Sequence, residues 1–190
     1  MKIQLIDRSN DMCAQWGFHF QNCEDVIVHN GDFFSLPTDC VVSPANSFGF
    51  MNGGLDMAIS NKIGWQVQLK LQSKLNALPM GELLVGEALL IETDFDEIPY
   101  CISAPTMRVP LYLTDSVNVY LASKAIFNLL KTEPRIQTVT ISGLGTGIGA
   151  VPYHVCASQM RQAYDDVWKN EYKFPDTLTE ASVNHVNYTR

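Results

Sequence analysis

Two glycine-rich stretches, each directly after a short apolar run, hold most of the residues in this 190-residue chain that could do chemistry. The first runs Ser43-Pro44-Ala45-Asn46-Ser47-Phe48-Gly49-Phe50-Met51-Asn52-Gly53-Gly54-Leu55-Asp56, and the second Gly143-Leu144-Gly145-Thr146-Gly147-Ile148-Gly149. Glycine lets the backbone take positive φ and approach a ligand with no Cβ in the way. Successive amides, together with the dipole of a following helix, then favour a phosphate. Either loop alone also fits a plain tight turn, but two in one small domain could clamp one ligand from both sides. Neither is a P-loop, because no Gly-Lys-Ser/Thr follows, and the second is out of register with the dinucleotide fingerprint.

Composition narrows the partners. The formal charge is -7 and the pI about 4.9, which argues against a basic surface that grips nucleic acid. A single small anion stays open, since backbone amides bind phosphate without Lys or Arg. Hydrophobic residues make up 46% of the chain and charged residues 17%, a balance that supports a folded core over disorder. The opening residues carry no apolar run of signal-peptide length, and no stretch approaches the ~18 apolar residues of a membrane span. Cys13, Cys23, Cys40, Cys101 and Cys156 are odd in number and form no CxxC pair, which suits thiols in a reducing cytoplasm. His19, His29, His154 and His185 are scattered without ligand spacing, so neither a metal nor a cofactor is expected.

Periodicity places these loops on a scaffold. Strands are expected at 3–6, 26–29, 39–43, 88–92, 100–104 and 138–142, and helices at 11–20, 54–62, 65–78, 116–131 and 152–169. Pro152 suits a helical first turn. Strands alternating with helices imply an α/β sandwich, a sheet covered on both faces, in which ligands collect beyond the carboxyl ends of the strands. Residues 1–169 read as one domain and 170–190 as a polar, loose C-terminal tail.

These residues resemble the macro domain family. Its members open their site with a strand and Gly-Asp plus an apolar residue, matched here by Gly31-Asp32-Phe33. They continue with an Asn-Ala-Ala-Asn-type loop and a Gly-Gly stretch leading into a helix. Ser43-Pro44-Ala45-Asn46 and Gly53-Gly54-Leu55-Asp56 stand in those places, and the late loop with Pro152 is similar to the family's diphosphate loop. The resemblance covers about Ile3 to Trp168, and implies a three-layer α/β/α sandwich around a mixed central sheet.

It also implies roles. Asp32 would accept from the adenine amine, with the backbone of Phe33 reading the same edge; by itself Asp32 could as well end a strand or cap a turn. Asn46 would contact the distal ribose, its amide donating to and accepting from ribose hydroxyls as a catalytic residue beside Asp56, with Ala45 among the ligand-binding residues, although a lone loop Asn is more often a turn-former. Gly53, Gly54 and Leu55 would bring amides to the phosphates, and Gly145, Thr146, Gly147, Ile148 and Gly149 would cradle the diphosphate, Thr146 adding its hydroxyl. Asp56, ten positions after Asn46, matches the aspartate with which hydrolytic members activate a water. Diphosphate charge nearby would raise its pKa. The plain alternative is a first-turn aspartate that complements the helix dipole.

The implied function is binding of ADP-ribose, free or on a protein, with hydrolysis of a substituent at the distal ribose. ADP-ribosylated acidic side chains, O-acyl-ADP-ribose and ADP-ribose 1″-phosphate are the candidate substrates, and a non-catalytic reader is the alternative. Ser43 replaces the motif's first asparagine, and Gly149 stands where many members have an aromatic residue. Arg108, in the segment 103–110, is expected to pair on the surface.

Overall fold

In each short strand successive side chains point to opposite faces, so the strands feed two cores at once. The computed structural model describes residues 1–189. Its strands are β1 (Lys2–Asp7), β2 (Val26–Asn30), β3 (Cys40–Ser43), β4 (Leu89–Glu92), β5 (Tyr100–Ser103) and β6 (Thr138–Ile141). They form one sheet in the order β2-β1-β6-β3-β5-β4. Every neighbouring pair is parallel except the edge pair β4–β5, which is antiparallel. The sheet is therefore mixed.

Helices α1 (Asn10–His19), α4 (Asn118–Thr132) and α5 (Tyr153–Ala163) belong to one layer, and α2 (Gly54–Ile63) and α3 (Gln66–Asn76) to the other. On the first face Cys40, Val42, Ile102 and Ile141 pack with Met12, Trp16, Phe127 and Met160. On the second, Val41, Cys101 and Ile91 pack with Ile59, Ile63, Val67 and Leu71. Strand β3 is buried along its whole length, as a four-residue apolar run between two helical layers must be. This is the three-layer α/β/α sandwich.

Two elements depart from the sequence expectation. The helix expected over 152–169 is α5 followed by a π-helical turn, Tyr164–Trp168. The wider turn lets Tyr164 Oη and Trp168 Nε1 both donate to the Asp25 carboxylate. The segment read as a loose tail carries a further helix, α6 (Leu178–Tyr188). Thr177 caps it, its hydroxyl accepting from the Glu180 amide at 3.1 Å, while Glu180 accepts from the Asp176 amide at 2.8 Å. The end of α6 docks on the domain: the Tyr188 ring lies 4.6 Å from that of Tyr120, and Gln159 Nε2 donates to the Tyr188 carbonyl at 2.8 Å. No residue of α6 is fully buried; capping holds its start, and the Tyr188 contacts dock its end.

Candidate functional site

Parallel strands end on the same side, which gathers the loops after β1, β2, β3, β5 and β6 at one edge of the sheet. These loops enclose a cavity of about 510 Å³, within the ~300–1,000 Å³ range of small-molecule sites. Asn46 and Gly147, one from each glycine-rich loop, line this same cavity. So do Asp32, Phe33, Ala45, Gly53, Gly54, Leu55, Asp56, Gly145, Thr146, Ile148 and Gly149. Every residue singled out from the sequence as a site candidate is brought together here.

The loop after β3 is organised by side chains. Asn46 Oδ1 accepts from the amides of Phe48 (3.1 Å) and Phe50 (3.2 Å), and its Nδ2 donates to the Phe50 carbonyl at 2.8 Å. The asparagine thus stitches its own turn, and its carbonyl is spent there. At the loop's end, Gly53 is the N-cap of α2 and offers no capping side chain. The amides of Gly54, Leu55 and Asp56 consequently have no acceptor among the described residues. Asp56 lies in that first turn, half-buried on the cavity wall. Burial pushes its carboxyl up from 3.8 to about 6, against a hydrogen bond from Ser43 that pulls it down. The cause is desolvation by the protein itself.

The loop after β6 is organised by backbone. Gly145 takes φ +70° and Ala150 φ +53°, and Val151 donates back to the Gly145 carbonyl at 3.1 Å. A Cβ at Gly149 would sit 2.4 Å from that carbonyl oxygen, so only glycine closes the turn. Leu113, from the segment before α4, donates to the Gly149 carbonyl at 2.7 Å and braces the loop from outside. Among the described residues the amides of Gly147, Ile148 and Gly149 find no acceptor. The Thr146 hydroxyl donates to the Gly143 carbonyl at 2.8 Å and so helps fold the loop.

At the β1–β2 end, Asp32 Oδ1 accepts from the Phe34 amide at 2.9 Å and Oδ2 pairs with Arg8. These two contacts, the amide first, hold its carboxyl below the usual range. The turn-forming role is therefore real, yet the side chain stays about half exposed. The ring of Phe33 packs in the α2/α3 core, and the residue also lines the cavity. Sequence reading missed Arg8, Phe34, Phe50 and the Thr106–Met107 wall. Phe50 is half exposed, an apolar ring beside Asn52 and Gly53 in the motif itself, and could have been noticed. Nothing in the sequence pairs Arg8 with Asp32. Arg108 behaves as expected, pairing with Glu82 at 2.7 Å and lying over the Phe48 ring.

Among the described residues no three His, Cys, Asp or Glu side chains cluster to hold a metal, and no helix is long and apolar enough to cross a membrane. The macro domain family model matches residues 42–160. An uncharacterized protein of Aquifex aeolicus is 32% identical over 136 residues, covering 72% of this chain and 78% of that protein. The Oceanobacillus iheyensis macrodomain solved with ADP superposes with a TM-score of 0.62 at 20% identity, over 74% of each chain. A mutant of that macrodomain solved with ADPR gives a TM-score of 0.59 at 20% identity, over 72% of this chain and 74% of its own. At such identities the two superpositions speak to the fold.

Proposed function

The chain belongs to the macro domain family, and from that premise we propose that its cavity binds ADP-ribose, free or carried on a protein, and hydrolyses a substituent at the distal ribose. One observation carries the reading. The residues of the first turn of α2 and of the loop after β6 whose amides have no acceptor among the described residues line a single cavity, and Asp56 lines it too. Two such rows of donors suit a diphosphate, which needs several hydrogen bonds and no dedicated cation. The related structures with ADP and ADPR bound support the same ligand class.

In this reading the adenine lies toward Asp32 and the Phe33 backbone. The carboxylate has lone pairs beyond those used by Phe34 and Arg8 and takes the exocyclic amine. Gly53, Gly54 and Leu55 face Gly145 to Gly149 across the diphosphate. Asn46 keeps the β3 loop in shape beside the distal ribose, with Ala45 beneath it. Asp56 acts as general base: a water attacks the anomeric carbon and gives its proton to the carboxylate. The bond from that carbon to the leaving oxygen breaks, and an acyl substituent departs with the electron pair as a carboxylate. A base that titrates near 6 is largely ionised at neutral pH and still basic enough to accept the proton.

We take residues 1–169 as the macro domain proper and, from its unpaired thiols, place the protein in a reducing cytoplasm. A second reading, a reader without turnover, draws on Asn46 and Ser43, neither of which offers the ribose a free asparagine carbonyl. Calorimetry with ADP-ribose and a substrate panel separates the two. Binding with release of ADP-ribose from one substrate supports the hydrolase, and binding without product supports the reader. No thermal shift at saturating ADP-ribose, where about 2.7 kcal/mol is expected at a hundredfold excess over Kd, overturns both.

A further inference from the structure

The geometry points to Ser43 as the residue that positions Asp56, holding one carboxylate oxygen from behind so that the other faces the cavity; this rests on the hydrolase reading above. Ser43 is the last residue of β3 and is fully buried. Its hydroxyl donates to Asp56 Oδ1 at 2.6 Å, a contact between residues thirteen positions apart in the chain. Asp56 lines the cavity, whereas Ser43 does not, so the serine touches the carboxylate from the protein side. With Oδ1 fixed, rotation of the carboxyl is blocked and Oδ2 is left to meet a water. A fixed base is worth more than a free one because orientation is settled before the reaction begins.

The neighbourhood explains why this one bond matters. Ser103, at the end of β5, is paired in register with Ser43 and is equally buried, yet its hydroxyl has no hydrogen-bond partner among the described residues. No second donor therefore comes to Asp56 from the sheet. Cys101, two residues earlier on β5, is the titratable group behind Asp56 and is kept as a neutral thiol by burial. The other charged cavity residues, Asp7, Arg8 and Asp32, belong to the β1–β2 end. Strand β6 separates β1 from β3, so Asp7 and Arg8, at the end of β1, sit two strand spacings away, roughly 10 Å, and Asp32, after β2, sits three. Among the described residues, a single neutral donor, Ser43, therefore orients Asp56.

The test is Ser43→Ala in the full chain, with Ser103→Ala as the matched buried control and Ser43→Thr as the variant that keeps the hydroxyl. Titration of the Asp56 carboxyl by carbon NMR needs no turnover. The midpoint should start near 6 and rise by roughly one unit in Ser43→Ala, because the lost bond favoured the ionised form. It should stay in place in Ser103→Ala and Ser43→Thr. The acid limb of the kcat profile should move with it, and above both midpoints kcat should remain about threefold to tenfold low with KM unchanged. An unmoved midpoint in Ser43→Ala, or an equal shift in Ser43→Thr, overturns the assignment. A protein that binds ADP-ribose but turns over none of the panel sinks the hydrolase reading instead, and the NMR titration still decides whether Ser43 governs the carboxyl.

Discussion

The two loops that close the cavity reach the same end by opposite means. The one after β3 is held by side chains: Asn46 ties its turn and Ser43 holds Asp56. The one after β6 is held by backbone conformation, with positive φ at Gly145 and Ala150 and a contact at Gly149 too tight for any Cβ. A side-chain scaffold can be altered one bond at a time, and its substitutions should show first in chemistry. A backbone scaffold fails as a unit, and its substitutions should show first in stability and binding.

The sharpest break is Asp56→Asn. If Asp56 is the base, turnover should fall about 10²–10⁴-fold while ADP-ribose binding persists, as measured by steady-state kinetics beside calorimetry. Equal turnover in the variant would remove Asp56 from the reaction. In the wild type the rate should rise with pH through about 6 and level off above, following the ionised carboxyl. Stability runs the other way. The folded state holds the proton up to about 6 while the unfolded chain releases it near 3.8, so ionising Asp56 costs stability as pH rises between those values. Asp56→Asn removes that cost. The variant should be more stable at pH 7 by about 1–3 kcal/mol, and the gain should vanish near pH 4 in denaturant titrations. A variant that is weaker at both tasks would mean that Asp56 is structural.

Next in size is Gly149→Ala. Its new methyl would lie 2.4 Å from the Gly145 carbonyl, a backbone atom that cannot swing aside. The turn must open, and Leu113, which bonds to Gly149, must move with it. A loss of about 2–3 kcal/mol is expected by thermal or chemical unfolding, together with most of the ligand affinity. Gly147→Ala, two residues earlier, is the matched contrast. No atom lies within 4 Å of the position its Cβ would take, and its φ lies outside the left-handed region. Stability should change by no more than ~0.5 kcal/mol, while affinity for ADP-ribose drops about tenfold because the methyl enters ligand space. If Gly147→Ala binds normally, the loop after β6 is only a turn.

This contrast also marks what could be read from the sequence. Glycine after a buried strand is a local signal, and it located both loops and the sheet edge they share. The helix expected over 54–62 likewise matches α2, and the structure adds that Gly53 leaves its start without a side-chain cap. What escaped depends on contacts far apart in the chain. Ser43 meets Asp56 because α2 folds back over the end of β3, and Arg8 meets Asp32 because β1 and β2 are neighbours. Periodicity carries no information about either. The direction of the Thr146 hydroxyl is set by the loop's conformation, which composition does not contain. Helix α6 was passed over for another reason: its polar composition and missing core face hid a capping box, Thr177 to Glu180, that was in plain view.

The smallest expected effect lies at the β1–β2 end, where backbone and side-chain control meet in one residue. Asp32→Asn keeps an oxygen to accept from the Phe34 amide, so the turn should survive. It loses the ion pair with Arg8, but both partners are solvent-exposed and such pairs are worth little, so stability should move by less than ~0.5 kcal/mol. Affinity for ADP-ribose should fall by about threefold to tenfold, because a neutral amide oxygen is a weaker acceptor for the adenine amine than a carboxylate. The guanine analogue is the informative comparison. It presents a carbonyl where adenine has the amine, and Asp32 would repel that oxygen. The adenine-over-guanine preference should therefore shrink in Asp32→Asn, since the asparagine amide can turn to donate. Unchanged selectivity, measured by competition calorimetry with the two nucleotides, would return Asp32 to the single task of closing its turn.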